Sequence, residues 1–265
     1  MYPPGHAAGD ASADGRPAGP PAGLYLTEPA RGLGGLAVLP LAAPWLAAAP
    51  RGDRHGVLVL PGLLASDLST ALLRRFLRWL GYDVRGWELG RNLGPTDAVL
   101  DGLPGAVAAL AERTGGPVSV VGWSLGGIYA RELARQRPGQ VRVVITLGSP
   151  FALTDPRQSR AEGAYRRRSY LHAGGGRVLT RDQIARPISA RSTAVYSRRD
   201  GIVSWQACVE PETAVHENVE VRCGHLGFGA DPATLWLIAD RLAVPPGRWR
   251  PFRPPRPLRP LYPAR

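Results

Sequence analysis

Val118-Ser119-Val120-Val121-Gly122-Trp123-Ser124-Leu125-Gly126 is the stretch on which the reading of this chain turns. A mostly apolar run leads into Gly-x-Ser-x-Gly, and the helix-favouring segment Leu125 to Gln136 follows at once. Strand, tight turn and helix in that order make a nucleophile elbow. The turn is sharp enough to need small residues on both sides of the serine. It holds the serine in a strained conformation with its hydroxyl projecting above the sheet. In a chain with 33 glycines the five-residue pattern alone says little. The strand before it and the helix after it give it weight.

Outward from the elbow the pattern is regular. Val57-Leu58-Val59-Leu60 reads as a short strand buried on both faces. Asp67 or Ser69 is a candidate cap for a helix to Leu80, with Leu72, Leu73, Phe76 and Leu80 at helical spacing. A strand is predicted over 82–89 and a helix over 97–113. Beyond the elbow, 141–147, 193–196 and 219–222 read as strands and 231–242 as the last helix. Strands alternating with helices predict an α/β fold: a mainly parallel sheet flanked by helices.

The alternation stops between Phe151 and Ser192, a stretch containing Arg166-Arg167-Arg168 and Gly174-Gly175-Gly176. So long a loop is unusual unless functional, and 151–191 is read as a cap or lid inserted in a domain spanning 55–243. Residues 1–30, rich in Gly, Ala and Pro, read as a disordered leader. Residues 31–54 are a lead-in segment. Gly32 to Ala49 carries no charge, and Ala47-Ala48-Ala49 resembles a signal-peptidase site, but Pro40 and Pro44 interrupt the run. The expectation is a surface segment packed on the domain, with a cleaved signal or an anchor, and hence a secreted or anchored form, as the alternative. From Val244 to Arg265 the chain alternates Pro and Arg around Trp249, Phe252 and Tyr262. That composition suits an extended, polyproline-like arm.

The net charge is +12, and all 33 basic residues are arginine. The excess is concentrated in the cap and the tail, a field that favours anionic partners such as a membrane surface. No nucleic-acid motif accompanies it, so a nucleic acid partner is not expected. Cys208 and Cys223 are read as two thiols in a reducing, cytoplasmic setting, with membrane association through the tail as an addition. No metal-ligand spacing or cofactor motif is present in the sequence, and no cofactor is expected.

A serine hydroxyl needs a base to take its proton, and the base needs an acid to hold its tautomer. Ser, acid and His in that chain order, on loops after successive strands, would supply them. Of the histidines after Ser124, His172 falls in the cap and His216 in a polar connection before a strand. His225, in Cys223-Gly224-His225-Leu226-Gly227, follows the last strand and precedes the last helix. It is the candidate base. Asp200, in the loop after Ala194-Val195-Tyr196-Ser197, is the candidate acid; Gly201 beside it suits a tight turn. Oxyanion donors are expected from the N–H of Leu125, at a helix start, and of Leu63, in Leu60-Pro61-Gly62-Leu63-Leu64. Apolar Leu64, Trp123 and Phe151 are candidate pocket residues.

Val57 to Leu64, the Gly-Trp-Ser-Leu-Gly elbow, Ile145-Thr146-Leu147-Gly148-Ser149-Pro150, the Asp200 loop and Gly224-His225-Leu226-Gly227 together resemble the α/β-hydrolase superfamily, in particular its lipase and esterase-like members. The resemblance covers about residues 55 to 243. It implies that fold and a triad of Ser124, Asp200 and His225. The chain departs from many lipases in having Pro61-Gly62 where they have His-Gly, and an arginine-rich cap where interfacial lipases carry an apolar amphipathic helix. The expected activity is hydrolysis of carboxylic esters, with a small-molecule or lipid acyl ester as substrate. Acyl transfer or thioester hydrolysis would use the same triad. A non-catalytic protein binding anionic surfaces through cap and tail is the competing class.

Overall fold

A strand that is apolar on both faces has to be covered from both sides, and β1 is the clearest case. A computed structural model describes residues 19–263. Six parallel strands, β1 (Gly56–Leu60), β2 (Asp83–Gly86), β3 (Val118–Trp123), β4 (Val141–Leu147), β5 (Arg191–Tyr196) and β6 (His216–Glu220), lie in the order β2-β1-β3-β4-β5-β6. In β1, Val57 and Val59 enter one core and Leu58 and Leu60 the other. The first core lies under α1 (Ala22–Ala47), α2 (Ala71–Trp79) and α7 (Pro232–Ala243). The second lies under α3 (Asp97–Thr114) and α4 (Leu125–Gln136). This is the α/β architecture expected from the alternation.

The chain leaves β1 for β2 on one side and returns to β3 on the other, so the strand order reverses between β1 and β3. Connections diverge at such a point and leave a crevice at the carboxyl ends of the strands. Leu60 is in register with Gly122 across that gap, so the Pro61-Gly62-Leu63 loop and the Ser124 elbow rise side by side. Local signals fix the flanking helices. The Thr96 hydroxyl accepts the Val99 N–H at the start of α3, and the Asp231 carboxylate accepts the Thr234 N–H at the start of α7, 2.8 Å away.

Several local expectations change. Asp67 caps no helix; its carboxylate accepts the N–H groups of Trp87 and Glu88, each at 3.0 Å, and anchors the turn after β2. The last strand begins at His216 and not at Val219. Its polar start is buried because Glu217 accepts from Thr193 (2.9 Å) and from Arg241 (2.9 Å). Residues 22–30, expected within the leader, are the first turns of α1; the remainder of that expectation, over 1–18, lies outside the described residues. Pro29, Pro40 and Pro44 do not end the helix. Much of α1 is apolar and exposed, with Leu26 76% and Leu41 79% accessible, and by length and composition it could cross a membrane.

The tail is not an extended arm. Phe252, Leu258 and Tyr262 are buried in the first core, the Tyr262 hydroxyl donates to the Ala233 carbonyl at 2.7 Å, and the Phe252 N–H donates to Glu217 at 2.6 Å. Proline-rich spacing leaves these three side chains on one side and Arg253, Arg256 and Arg259 exposed on the other. Between β4 and β5, short helical turns replace a structureless loop, including α5 (Glu162–Arg166) and α6 (Arg181–Ala185).

Candidate active site

Ser124 sits at the junction of β3 and α4 with φ 53° and ψ −121°, a conformation that costs a non-glycine residue on the order of 1–3 kcal/mol. The elbow is held by the Ser124 N–H donating to the Leu147 carbonyl at 2.8 Å. The glycine at 126 is obligatory: a Cβ there would lie 2.5 Å from the Leu60 carbonyl oxygen. Leu125 is the first residue of α4, so its N–H belongs to the set that has no partner within the helix.

The loop after β1 passes against the serine. A Cβ on Gly62 would lie 3.2 Å from the Ser124 Cβ and 3.9 Å from its Oγ. Buried Asn92 shapes this loop. Its side-chain amide donates to the Pro61 carbonyl (2.9 Å), its own carbonyl accepts the Leu64 N–H (2.7 Å), and its N–H donates to Ala65 (2.8 Å). Leu64 consequently takes a left-handed conformation, φ 64°. Nothing in the sequence singled out Asn92. Its only local sign was an asparagine in a turn-rich stretch, Gly90-Arg91-Asn92-Leu93-Gly94.

Asp200 and His225, 25 positions apart, meet at the ends of β5 and β6: His225 Nδ1 lies 2.6 Å from Asp200 Oδ2. The other Asp200 oxygen accepts the N–H groups of Ile202 and Val203, both at 2.8 Å, which fixes the carboxylate. The His225 loop reaches the elbow through Trp123, whose indole N–H donates to the His225 carbonyl at 3.1 Å. Burial pushes the His225 imidazole pKa down. The charge and hydrogen bond of Asp200, with the charge of Glu28, outweigh that and leave it above the ordinary value. The other two downstream histidines lie apart. His172 packs on Tyr165 in the cap, and His216 starts β6 near Glu210.

A cavity of about 580 Å³ opens over Ser124. Its walls are mainly apolar, among them Leu63, Leu100, Ile128, Phe151, Leu153 and Ile184. Residues 150–184 supply one side, tied to α3 by Arg177, which bridges Asp97 (2.6 Å) and Asp101. Of the three expected pocket residues, Phe151 is in the wall, beneath the Arg131 guanidinium at 4.0 Å. Leu64 and Trp123 are not. The left-handed turn sends Leu64 outward, and Trp123 packs toward Gly229 and His225. Both cysteines are free thiols.

The sequence matches no protein-family model and no curated protein. Solved structures match the fold. Aspergillus fumigatus lipase B superposes with a TM-score of 0.56 at 16% identity over 74% of this chain and 54% of that one. This chain thus spans about half the length of that lipase. The metagenome-derived lipolytic enzymes LipS and LipT are represented by a match at TM-score 0.52 and 16% identity, over 73% of this chain and 93% of the other. A monoacylglycerol lipase from Paleococcus ferrophilus matches at TM-score 0.51 and 16% identity, over 74% and 96%. The chain has the α/β-hydrolase fold.

Proposed function

We propose that the protein is a serine hydrolase that cleaves carboxylic esters through Ser124, His225 and Asp200. The observation that carries this reading is the His225–Asp200 pair at the ends of the strands after the elbow, joined to the elbow through Trp123, with the strained Ser124 on the floor of an apolar cavity. Ser124 Oγ attacks the acyl carbon while its proton passes to His225 Nε2. Asp200 holds Nδ1 protonated and stabilises the imidazolium. The tetrahedral oxyanion takes hydrogen bonds from the N–H groups of Leu125 and Leu63, each worth on the order of 3 kcal/mol. The C–O bond to the alcohol then breaks, and the alcohol leaves with the proton from His225. Water, deprotonated by the same imidazole, releases the acid and restores Ser124. The apolar walls suit an acyl group better than a charged one.

The test is hydrolysis of a panel of chromogenic acyl esters by wild type and Ser124→Ala. Loss of activity in the variant supports the reading, and equal rates would overturn it. In the same reading, exposed Arg253, Arg256 and Arg259 draw the enzyme to anionic lipid. Replacing all three by glutamine should reduce co-sedimentation with phosphatidylserine vesicles, and unchanged binding would remove the tail from the account.

A further inference from the structure

Helix α1 contributes one acidic side chain to the interior. Glu28 is only 2% exposed, in a helix that is otherwise largely solvent-facing. Its Oε1 accepts the N–H of Gly201 (2.7 Å) and of His225 (2.9 Å), and its Oε2 accepts the N–H of Leu226 (3.1 Å). One carboxylate thus bonds the residue after Asp200 and the histidine itself. Arg31, one turn along, pairs with Glu28 at 2.8 Å and donates to the Arg199 carbonyl at 2.6 Å.

We propose that Glu28 is a positioning residue, which clamps the loops after β5 and β6 so that Asp200 and His225 keep their mutual geometry. The inference rests on the reading of those two residues as members of the catalytic triad. Two glycines make the close approach possible. A Cβ on Gly201 would lie 2.5 Å from the Leu24 carbonyl carbon, and one on Gly224 would lie 2.7 Å from Glu28 Oε2. Gly201 therefore serves the docking of α1, and its φ is not in the left-handed range that a tight turn would require. A carboxylate is suited to this place because it accepts several N–H donors at once and each such bond is charge-assisted.

The charged groups around His225 are Asp200 from the loop after β5, and Glu28 with Arg31 behind it from α1; the ring neighbours Trp123 and Phe228 are uncharged. Glu28 therefore also adds to the field that favours the imidazolium. An electrostatic effect on the base separates this role from simple docking of a helix.

Full-length Glu28→Gln and Arg31→Gln test it against wild type by three measurements. These are thermal unfolding, kcat and KM for a chromogenic acyl ester as a function of pH, and an NMR titration of the His225 imidazole, assigned by loss of its signal in His225→Asn. In Glu28→Gln the titration midpoint should move to lower pH, and kcat should fall about 10- to 100-fold with little change in KM, as expected when a catalytic pair is misplaced. In Arg31→Gln, which leaves Glu28 in place, the midpoint should move to higher pH. Wild-type midpoint and kcat in a folded Glu28→Gln would overturn the proposal, whatever happens to its melting temperature. Should Glu28→Gln not fold, the shorter Glu28→Asp takes its place, and wild-type kcat and midpoint in that variant would overturn the proposal. If the wild type hydrolyses no ester, the esterase reading fails, and the titration still decides whether Glu28 acts on His225.

Discussion

A serine stands at each end of strand β3, and a histidine–aspartate pair belongs to each end. Near its start, Ser119 Oγ lies 2.7 Å from His55 Nε2, and His55 Nδ1 bonds Asp53, which also accepts from Arg142 at 2.7 Å. At its end stand Ser124, His225 and Asp200. By residue type the two sets are identical. Ser119 is fully buried inside a strand and lies outside the cavity wall, whereas Ser124 sits at a strained turn and lines the cavity floor. The histidines are tuned in opposite directions. Burial, with the charge of Arg142, holds His55 below the ordinary imidazole value despite Asp53, while Asp200 and Glu28 hold His225 above it despite burial. A serine hydrogen-bonded to a histidine that is paired with an aspartate, as Ser119 is, does not by itself define a hydrolase site. Backbone strain and open space distinguish the Ser124 end from the buried link at Ser119.

The largest expected difference between the two ends is in turnover. Ser124→Ala should lower kcat by about 10⁴-fold or more, and Ser119→Ala should leave the rate per folded molecule within a few-fold. Comparable losses in initial rates of ester hydrolysis would erase the distinction. Next come the acids: Asp200→Asn should cost about 10³- to 10⁴-fold by trapping the wrong tautomer, and Asp53→Asn should cost almost nothing. Asn92→Ala, which frees the loop carrying Leu63, should lower kcat about 10- to 100-fold, a part of what one oxyanion donor contributes. An unchanged kcat would show that the loop holds its shape without the Asn92 contacts.

Smaller effects belong to the start of the strand and to pH. Ser119→Ala removes the partner of a buried imidazole nitrogen and should lower unfolding free energy by about 1–3 kcal/mol in a urea titration. The two histidines also give opposite pH signatures. His225 must be neutral to act as base, so kcat/KM should fall with decreasing pH through a midpoint above the ordinary imidazole value. Because its pKa is raised on folding, its stabilising contribution is fully present below pH 6.5 and is lost as pH rises through the folded value. For His55 the folded value is lowered, so its contribution is lost as pH falls below 6.5 toward that value. Subtracting the stability–pH curve of His55→Gln from that of wild type isolates the second term: the wild-type advantage should shrink as pH falls below 6.5, and an advantage that grows on acidification would reverse the sign.

Much of this architecture was legible because it is written locally. The apolar runs of β1, β3 and β4 announce strands buried on both faces, and their alternation with helical segments fixes which strand end Asp200 and His225 occupy. Glu28 and Asn92 leave no local signature because they bond backbone groups distant in the chain: Glu28 acts across 173 and 197 positions. No spacing rule connects such partners. Helix α1 was obscured by its prolines. In the tail, the Pro and Arg composition conceals that Phe252, Leu258 and Tyr262 share one buried side. The start of β6 is not legible locally, because Glu217 has the character of a surface residue until Arg241 and Thr193 are brought to it. In each case a tertiary partner overrides the local preference.

The most direct test is to treat the native protein with a fluorophosphonate, which phosphonylates an activated serine, and map the modified residue by mass spectrometry. A single adduct on Ser124 is expected, abolished in His225→Ala and absent from Ser119. An adduct on Ser119, or no adduct on Ser124 in folded protein, would contradict it.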